Sequence, residues 1–296
     1  MKLLLLGKDG QVGRALQQAL PPLGALTAHG RDTADLMHPA AIAALIARER
    51  PDVVVNAAAY TAVDAAEDDR QAAWTVNAEA VEAIGRAARQ NGALVIHYST
   101  DYVFDGSAPE PYREDAATSP LGVYGASKLA GEVLLRDSGA THAIVRTSWV
   151  YAPVGKNFAL TMLRLARERE TLDVVADQVG AATPAALIAE VTARLIPALR
   201  SGTPGGVYHL APTGETSWHG YAQFLVTEAL AAGVSLKLTP EAIRAIPASA
   251  YPTRAQRPAN SRLDTAKLRE TFGMTLPPWQ EPVRQLIRML KAEGRL

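Results

Sequence analysis

Hydrophobic and polar positions follow two rhythms along the first half of this 296-residue chain. Short, mostly apolar runs stand at residues 2–6 (Leu3-Leu4-Leu5-Leu6), 25–28, 53–55 (Val53-Val54-Val55) and 93–98. Between them apolar residues recur at helical spacing, at 14–20, 39–50, 70–91 and 122–137. An unbroken apolar run of four or five residues suits a strand buried on both faces, not one with a wet side. Strand and helix in strict alternation at this spacing predict βαβ units and a parallel sheet covered by helices on both faces. Beyond about residue 150 the alternation loosens. Helical patterns at 156–169 and 184–200 surround a short strand at 172–176, and proline becomes frequent after 239.

In such sheets ligands bind beyond the C-terminal ends of the strands. That rule selects Gly7–Gly13, Gly30-Arg31, Asn56–Thr61 and Ser99–Asp105. Gly7-Lys8-Asp9-Gly10-Gln11-Val12-Gly13 follows the first strand and opens the first helix. There glycines allow a tight turn and close backbone approach, and a helix N-terminus offers N–H groups to a pyrophosphate. Arg31 follows the second strand, where an acid would take an NAD ribose hydroxyl; it would neutralise a 2′-phosphate or simply be a solvated loop residue. The fold expected is α/β, a Rossmann-type doubly wound parallel sheet with a smaller α+β C-terminal substrate lobe. Residues 1–170 form the NAD(P)-binding domain and 171–296 the substrate-binding lobe, with the strand at 206–211 free to rejoin the main sheet.

Tyr124-Gly-Ala-Ser-Lys128 puts a phenol and an ammonium one turn apart on a helix spanning 122–137. Two unit charges about 4 Å apart interact by about 4 kcal/mol at an effective dielectric near 20, enough to lower a tyrosine pKa by a few units. An ordinary amphipathic helix has the same spacing. Thr100, at the end of the fourth strand, would add a hydroxyl able to hydrogen-bond a carbonyl, although Thr is also common in turns. Asn77, inside an apolar helical pattern, either bonds a main-chain group near the site or faces water.

Composition narrows the partners. The 30 basic and 30 acidic residues balance, so no global field recommends nucleic acid or an anionic membrane. Cysteine is absent, which removes thiol chemistry, and the six histidines are scattered without metal-ligand spacing, so no metal site is expected. The leucine run is too short for a signal-peptide core or a membrane span, and a cytoplasmic protein is expected.

Taken together, Gly7–Gly13, Asn56–Thr61, the run Ser99-Thr100-Asp101-Tyr102-Val103-Phe104-Asp105-Gly106, Tyr124–Lys128 and Arg146-Thr-Ser-Trp-Val-Tyr151 resemble the extended short-chain dehydrogenase/reductases. The likeness continues through Asp177-Gln178-Val179-Gly180, Trp218-His219-Gly220-Tyr221 and Arg257-Pro258-Ala259-Asn260-Ser261-Arg262-Leu263. It implies hydride transfer from NADPH, or NADH, to the C4 ketone of a nucleotide sugar, dTDP-4-dehydro-β-L-rhamnose. By the same resemblance Tyr124 is the proton donor, Lys128 tunes it and holds the nicotinamide ribose, and Thr100 bonds the sugar oxygen. Gly10, Gln11 and Val12 would line the pyrophosphate and Asp35-Leu36 the adenosine. Ala59, Tyr60, Thr61 and Tyr98 would lie along the inner half of the cofactor, with Asp101 and Trp149 against the substrate. A nucleotide-sugar epimerase or dehydratase is the alternative within the class. A non-catalytic subunit like the regulatory subunit of methionine adenosyltransferase is the alternative outside it. Relatives exist in which Mg²⁺ bridges a homodimer through glutamates, but Ala15 and Ala186 stand where two are expected, and Gly180-Ala181-Ala182-Thr183 departs from the usual Gly-x-Pro-Thr.

Overall fold

The computed structural model describes residues 1–296. Five strands lie parallel in its main sheet: β1 (Lys2–Leu6), β2 (Ala25–His29), β3 (Val53–Asn56), β4 (Leu94–Thr100) and β5 (His142–Thr147). The strand Gly206–Leu210 adds itself beside β5, also parallel, and the order across the sheet is Gly206–Leu210, β5, β4, β3, β1, β2. The chain therefore reverses its direction of winding between β1 and β3. A crevice opens there at the strand ends.

The apolar runs do not alternate because both faces are covered. Leu3 and Leu5 of β1 face α1 (Gln11–Ala19), with Val53, Val55, Ile96 and Val145 on the same side, while Leu4 and Leu6 face α2 (Pro39–Glu49) on the other. All four leucines are at most 1% exposed. At roughly 1.5–3 kcal/mol for each fully buried large apolar side chain, the four leucines contribute about 6–12 kcal/mol of the driving force. The remaining helices are α3 (Val63–Ala66), α4 (Arg70–Trp74), α5 (Ala80–Asn91), α6 (Val123–Asp137), α7 (Phe158–Glu168), α8 (Ala185–Arg200), α9 (Trp218–Ala231), α10 (Ala266–Phe272) and α11 (Gln280–Ala292). Helices α5 and α6 share the face of α2, and α8 packs beside α1.

A second core joins α7, α9 and α11 through Leu163, Tyr221, Leu225 and Ile287, next to the parallel strand pair Leu172–Val175 and Ile243–Ile246. The two cores interleave along the chain. Leu187, Ile188 and Leu195 of α8, Tyr208, and Leu268 of α10 all belong to the first core, so a cut at residue 170 does not separate them. The helical stretch expected at 70–91 is continuous but carries a π turn at Thr75–Glu79 between α4 and α5. No helix is long and apolar enough to cross a membrane.

Candidate active site

The glycine-rich turn is shaped by contacts that only glycine permits. Gly7 has φ +85°, and a Cβ on it would overlap the main chain at Ala57 and Ala58 after β3. A Cβ on Gly13 would overlap the Gly7 carbonyl, so the first turn of α1 lies directly on the loop. At Gly10 the nearest atom to a Cβ is 3.5 Å away, and no side chain caps α1. The first-turn N–H groups, left without a side-chain cap, and the open space at Gly10 fit a pyrophosphate. Gln11 carries a second tie: its Oε1 accepts a 2.8 Å hydrogen bond from Asn157, whose own Oδ1 caps α7 by accepting from Leu160 N at 3.0 Å. Val12 packs partly buried against the first core.

At the end of β2 the surroundings mix signs. Arg31 is 82% exposed and donates from Nε to Asp35 at 3.2 Å. Asp35 is foremost a turn residue: the Met37 N–H, 3.0 Å away, holds its carboxyl below the usual value, with Arg31 adding to it and burial opposing. The carboxylates of Asp9, from the glycine-rich loop, and of Asp32, next to Arg31, also crowd Gly30, where a Cβ would overlap them. Leu36 is buried in the core under α2, which leaves its main chain and not its side chain to face a ligand.

The loop after β3 is held by one residue. Asn77, in the π turn and 1% exposed, accepts from Tyr60 N at 2.9 Å and donates to Tyr60 O at 3.1 Å and to Ser127 Oγ at 3.0 Å. This fixes Ala59-Tyr60-Thr61 against α6. The extra residue of the π turn brings its backbone against Gly131, where a Cβ would overlap the Asn77 carbonyl. A π turn at such a junction is a common device of functional sites.

Helix α6 brings Tyr124 and Lys128 to the end of β4. Its start is stabilised from outside, by Glu67 Oε1 accepting from Val123 N at 2.8 Å. Lys128 is 2% exposed and donates to Tyr98 O at 2.7 Å, with His97 Nε2 at 3.3 Å; neither hydrogen bond goes to Tyr124. Burial pushes Lys128 down to about 8, with Glu132 opposing. Burial pushes Tyr124 up to about 12, while the Thr100 hydroxyl favours the phenolate and Asp101 disfavours it. Without a cofactor, then, the phenol is protonated, and desolvation outweighs any help from the lysine. The Tyr124 ring packs edge-on to Tyr102 at 5.5 Å. Thr100 Oγ donates to Asp101 Oδ1 at 3.0 Å and accepts from Tyr102 N at 3.2 Å. Asp101 is raised to about 6 by burial, against the hydroxyls of Ser261 and Thr100. Tyr98 turns its hydroxyl away from this site, 2.7 Å from Thr192 on α8, so only its carbonyl takes part.

Just past the end of β5 stands Trp149, a bulky residue at φ +48°, stacked on Trp218 with centroids 3.6 Å apart. A left-handed tryptophan is a local strain. Gly180 makes room for it, since a Cβ there would come within 2.8 Å of the indole, and Thr183 N donates to Trp149 O at 3.2 Å. Ala181 and Ala182, the departure from Gly-x-Pro-Thr, are buried behind it. From the second lobe, Ser261 N donates to Val179 O at 2.7 Å. Arg257 pairs with Asp64 at 2.9 Å, and Arg254 with Asp68.

Sequence reasoning named Thr100, Tyr124 and Lys128, which the structure brings together, but not the side-chain contacts of the residues around the site: Asn56, Asp64, Glu67, His97 and Asn157. For Asn56 and His97 a signal existed, a polar residue at or near the end of each of two apolar runs.

The sequence profile of a family described as the RmlD substrate binding domain matches residues 1–292. The dTDP-4-dehydrorhamnose reductase of Salmonella typhimurium is 51% identical over 292 residues, 97% of each chain. Among solved structures, a dTDP-4-dehydrorhamnose reductase from Clostridium acetobutylicum superposes with a TM-score of 0.90 at 32% identity, covering 98% of this chain and 100% of the other. One from Bacillus anthracis, in complex with NADP, gives 0.87 at 31% identity, covering 97% and 99%.

Proposed function

The chain belongs to the RmlD substrate binding domain family, and from that premise we propose that its site reduces the C4 ketone of dTDP-4-dehydro-β-L-rhamnose, giving dTDP-β-L-rhamnose. It is an NAD(P)H-dependent oxidoreductase of dTDP-rhamnose biosynthesis. The observation that carries the residue assignment is the convergence of Thr100, Tyr124 and Lys128 at the C-terminal end of β4, beside the crevice that Gly7, Gly10 and Gly13 open.

A bound nicotinamide supplies the hydride. Tyr124, kept protonated by burial, donates its proton to the oxygen that becomes the C4 hydroxyl. Thr100 steadies that oxygen by turning its O–H from Asp101 to the substrate, while Tyr102 N continues to hold the hydroxyl oxygen. Lys128 would hold the nicotinamide ribose and stabilise the phenolate that Tyr124 leaves behind. Trp149 gives the sugar an apolar wall whose angle is set by Trp218. Arg31 favours a 2′-phosphate and the nearby Asp9 and Asp32 favour a free ribose, which supports the use of both NADPH and NADH.

The test is direct. The protein is mixed with NADPH or NADH and the 4-keto sugar nucleotide, and nicotinamide absorbance is followed. Oxidation that depends on the sugar supports the reading. No oxidation with either cofactor overturns it.

A further inference from the structure

Two polar residues stand side by side within the apolar sheet. Asn56 in β3 and His97 in β4 are partners in register, and each is 1% exposed. A line of hydrogen bonds runs from them to α6. Ala58 N donates to Asn56 Oδ1 at 3.2 Å, and Asn56 Nδ2 lies 3.1 Å from His97 Nδ1. His97 Nε2 lies 3.3 Å from Lys128 Nζ, which donates to Tyr98 O at 2.7 Å.

The main-chain end decides the direction of this line. The Ala58 N–H can only donate, so Asn56 gives it the amide oxygen and turns its NH₂ to His97 Nδ1, which must accept. A neutral imidazole that accepts at one nitrogen carries its proton on the other, so Nε2–H points at Lys128. An ammonium has three donors and no acceptor, whereas a neutral amine has a lone pair to receive Nε2–H.

We propose that Asn56 and His97 are positioning residues for the reduction: they lock His97 as the Nε2–H tautomer and thereby disfavour the ammonium form of Lys128. The proposal rests on the reading of Tyr124 and Lys128 as the reacting pair. Its consequence is a lysine whose charge follows its surroundings instead of a fixed cation. The titratable groups around His97 are Lys128, with Glu132 one turn further on α6, and His142 on β5. Burial holds His97 well below the ordinary histidine range, which keeps it neutral, and lowers Lys128 in the same sense.

Long-range ¹H–¹⁵N NMR of the histidine rings tests the tautomer without any turnover, with His97→Gln assigning the signal. The expected pattern at about pH 8 is a neutral ring protonated on Nε2. A ring protonated on Nδ1, or on both nitrogens, overturns the proposal. Asn56→Asp is the second arm. Its carboxylate still accepts from Ala58 N but requires a proton on His97 Nδ1, which makes Nε2 an acceptor for the ammonium. The ring signal should switch tautomer, and the alkaline limb of NADPH oxidation should move up by about one pH unit. A lower rate with an unmoved limb means that Asn56 and His97 are only structural, and overturns the proposal. Should Asn56→Asp not fold, the spectrum of the parent protein decides alone. Because that spectrum needs no substrate, failure here is distinguishable from failure of the reductase reading.

Discussion

The two walls of the site are built differently. On the sheet side, Asn77, His97, Lys128 and Thr100 are at most 5% exposed, and hydrogen bonds running to fixed main-chain groups hold the cluster. On the lobe side, the segment from Tyr251 to Arg257 is held by the ion pairs Arg254–Asp68 and Arg257–Asp64, whose side chains are a third to two-thirds exposed, and Tyr251 itself is 60% exposed. Proton donation needs atoms fixed to fractions of an ångström, and burial with complete hydrogen bonding provides that. Admitting and releasing a sugar nucleotide needs a wall that yields, and exposed ion pairs worth under about 1 kcal/mol provide that. Rate should therefore depend on the sheet side and affinity on the lobe side.

The largest expected effect is on the sheet side. Tyr124→Phe should lower kcat by about 10²–10⁴-fold with NADPH affinity little changed, measured by turnover and by fluorescence titration of the cofactor. A variant that turns over at the parental rate removes Tyr124 as proton donor and with it the contrast between the walls. Asn77→Ala comes next. It strands both the N–H and the carbonyl of Tyr60, at roughly 1–3 kcal/mol for each buried group left unpaired. Chemical denaturation should show that loss, and kcat should fall because the loop at Ala59–Thr61 is released.

Asp101 lies where the two walls meet, between Thr100 and Ser261, and its sign can be worked out. Its folded pKa is raised from 3.8 to about 6, so the folded state binds more protons than the unfolded state between these values. The stabilisation is fully present below pH 3.8 and is lost as pH rises through about 6. Asp101→Asn, which never ionises, should therefore be more stable relative to the parent at pH 8 than at pH 4, by an amount on the order of 2 kcal/mol. Thermal unfolding at the two pH values checks it. An equal difference at both would mean that the carboxylate is not desolvated.

How much of this was legible depends on the kind of residue. Unbroken apolar runs, such as Leu3–Leu6, announced a doubly covered sheet, and the glycines at 7, 10 and 13 announced its first turn. Counting placed the phenol, ammonium and hydroxyl of Tyr124, Lys128 and Thr100 at strand and helix ends, and the family resemblance gave them their proposed roles. The supporting groups were not. Glu67 stabilises the start of a helix 56 residues away, and Asn157 reaches Gln11 across 146 residues; such contacts are fixed by tertiary packing, of which local sequence carries no trace. The side-chain directions of Leu36 and Tyr98 were misleading for the same reason, since each is drawn into a core that a strand-end rule does not see. Nor does local spacing show that desolvation of Tyr124 would exceed the influence of Lys128.

The smallest effects should fall on the lobe side, and they separate its two ion pairs. Arg257 stands close enough to Tyr102 for its charge to be felt there, and its carboxylate partner Asp64 accepts from Ala255 N at 3.1 Å as well. Arg254 pairs with Asp68 at the rim, with both side chains about two-thirds exposed. Arg257→Ala should thus raise KM for the sugar nucleotide several-fold and leave kcat within about twofold, since it removes binding common to ground and transition states. Arg254→Ala should change stability by less than about 0.5 kcal/mol and KM by less still. Steady-state kinetics on the two variants decides the matter. If Arg257→Ala lowers kcat as strongly as it raises KM, the lobe takes part in holding the transition state, and the division of labour between a rigid reacting wall and a yielding binding wall fails.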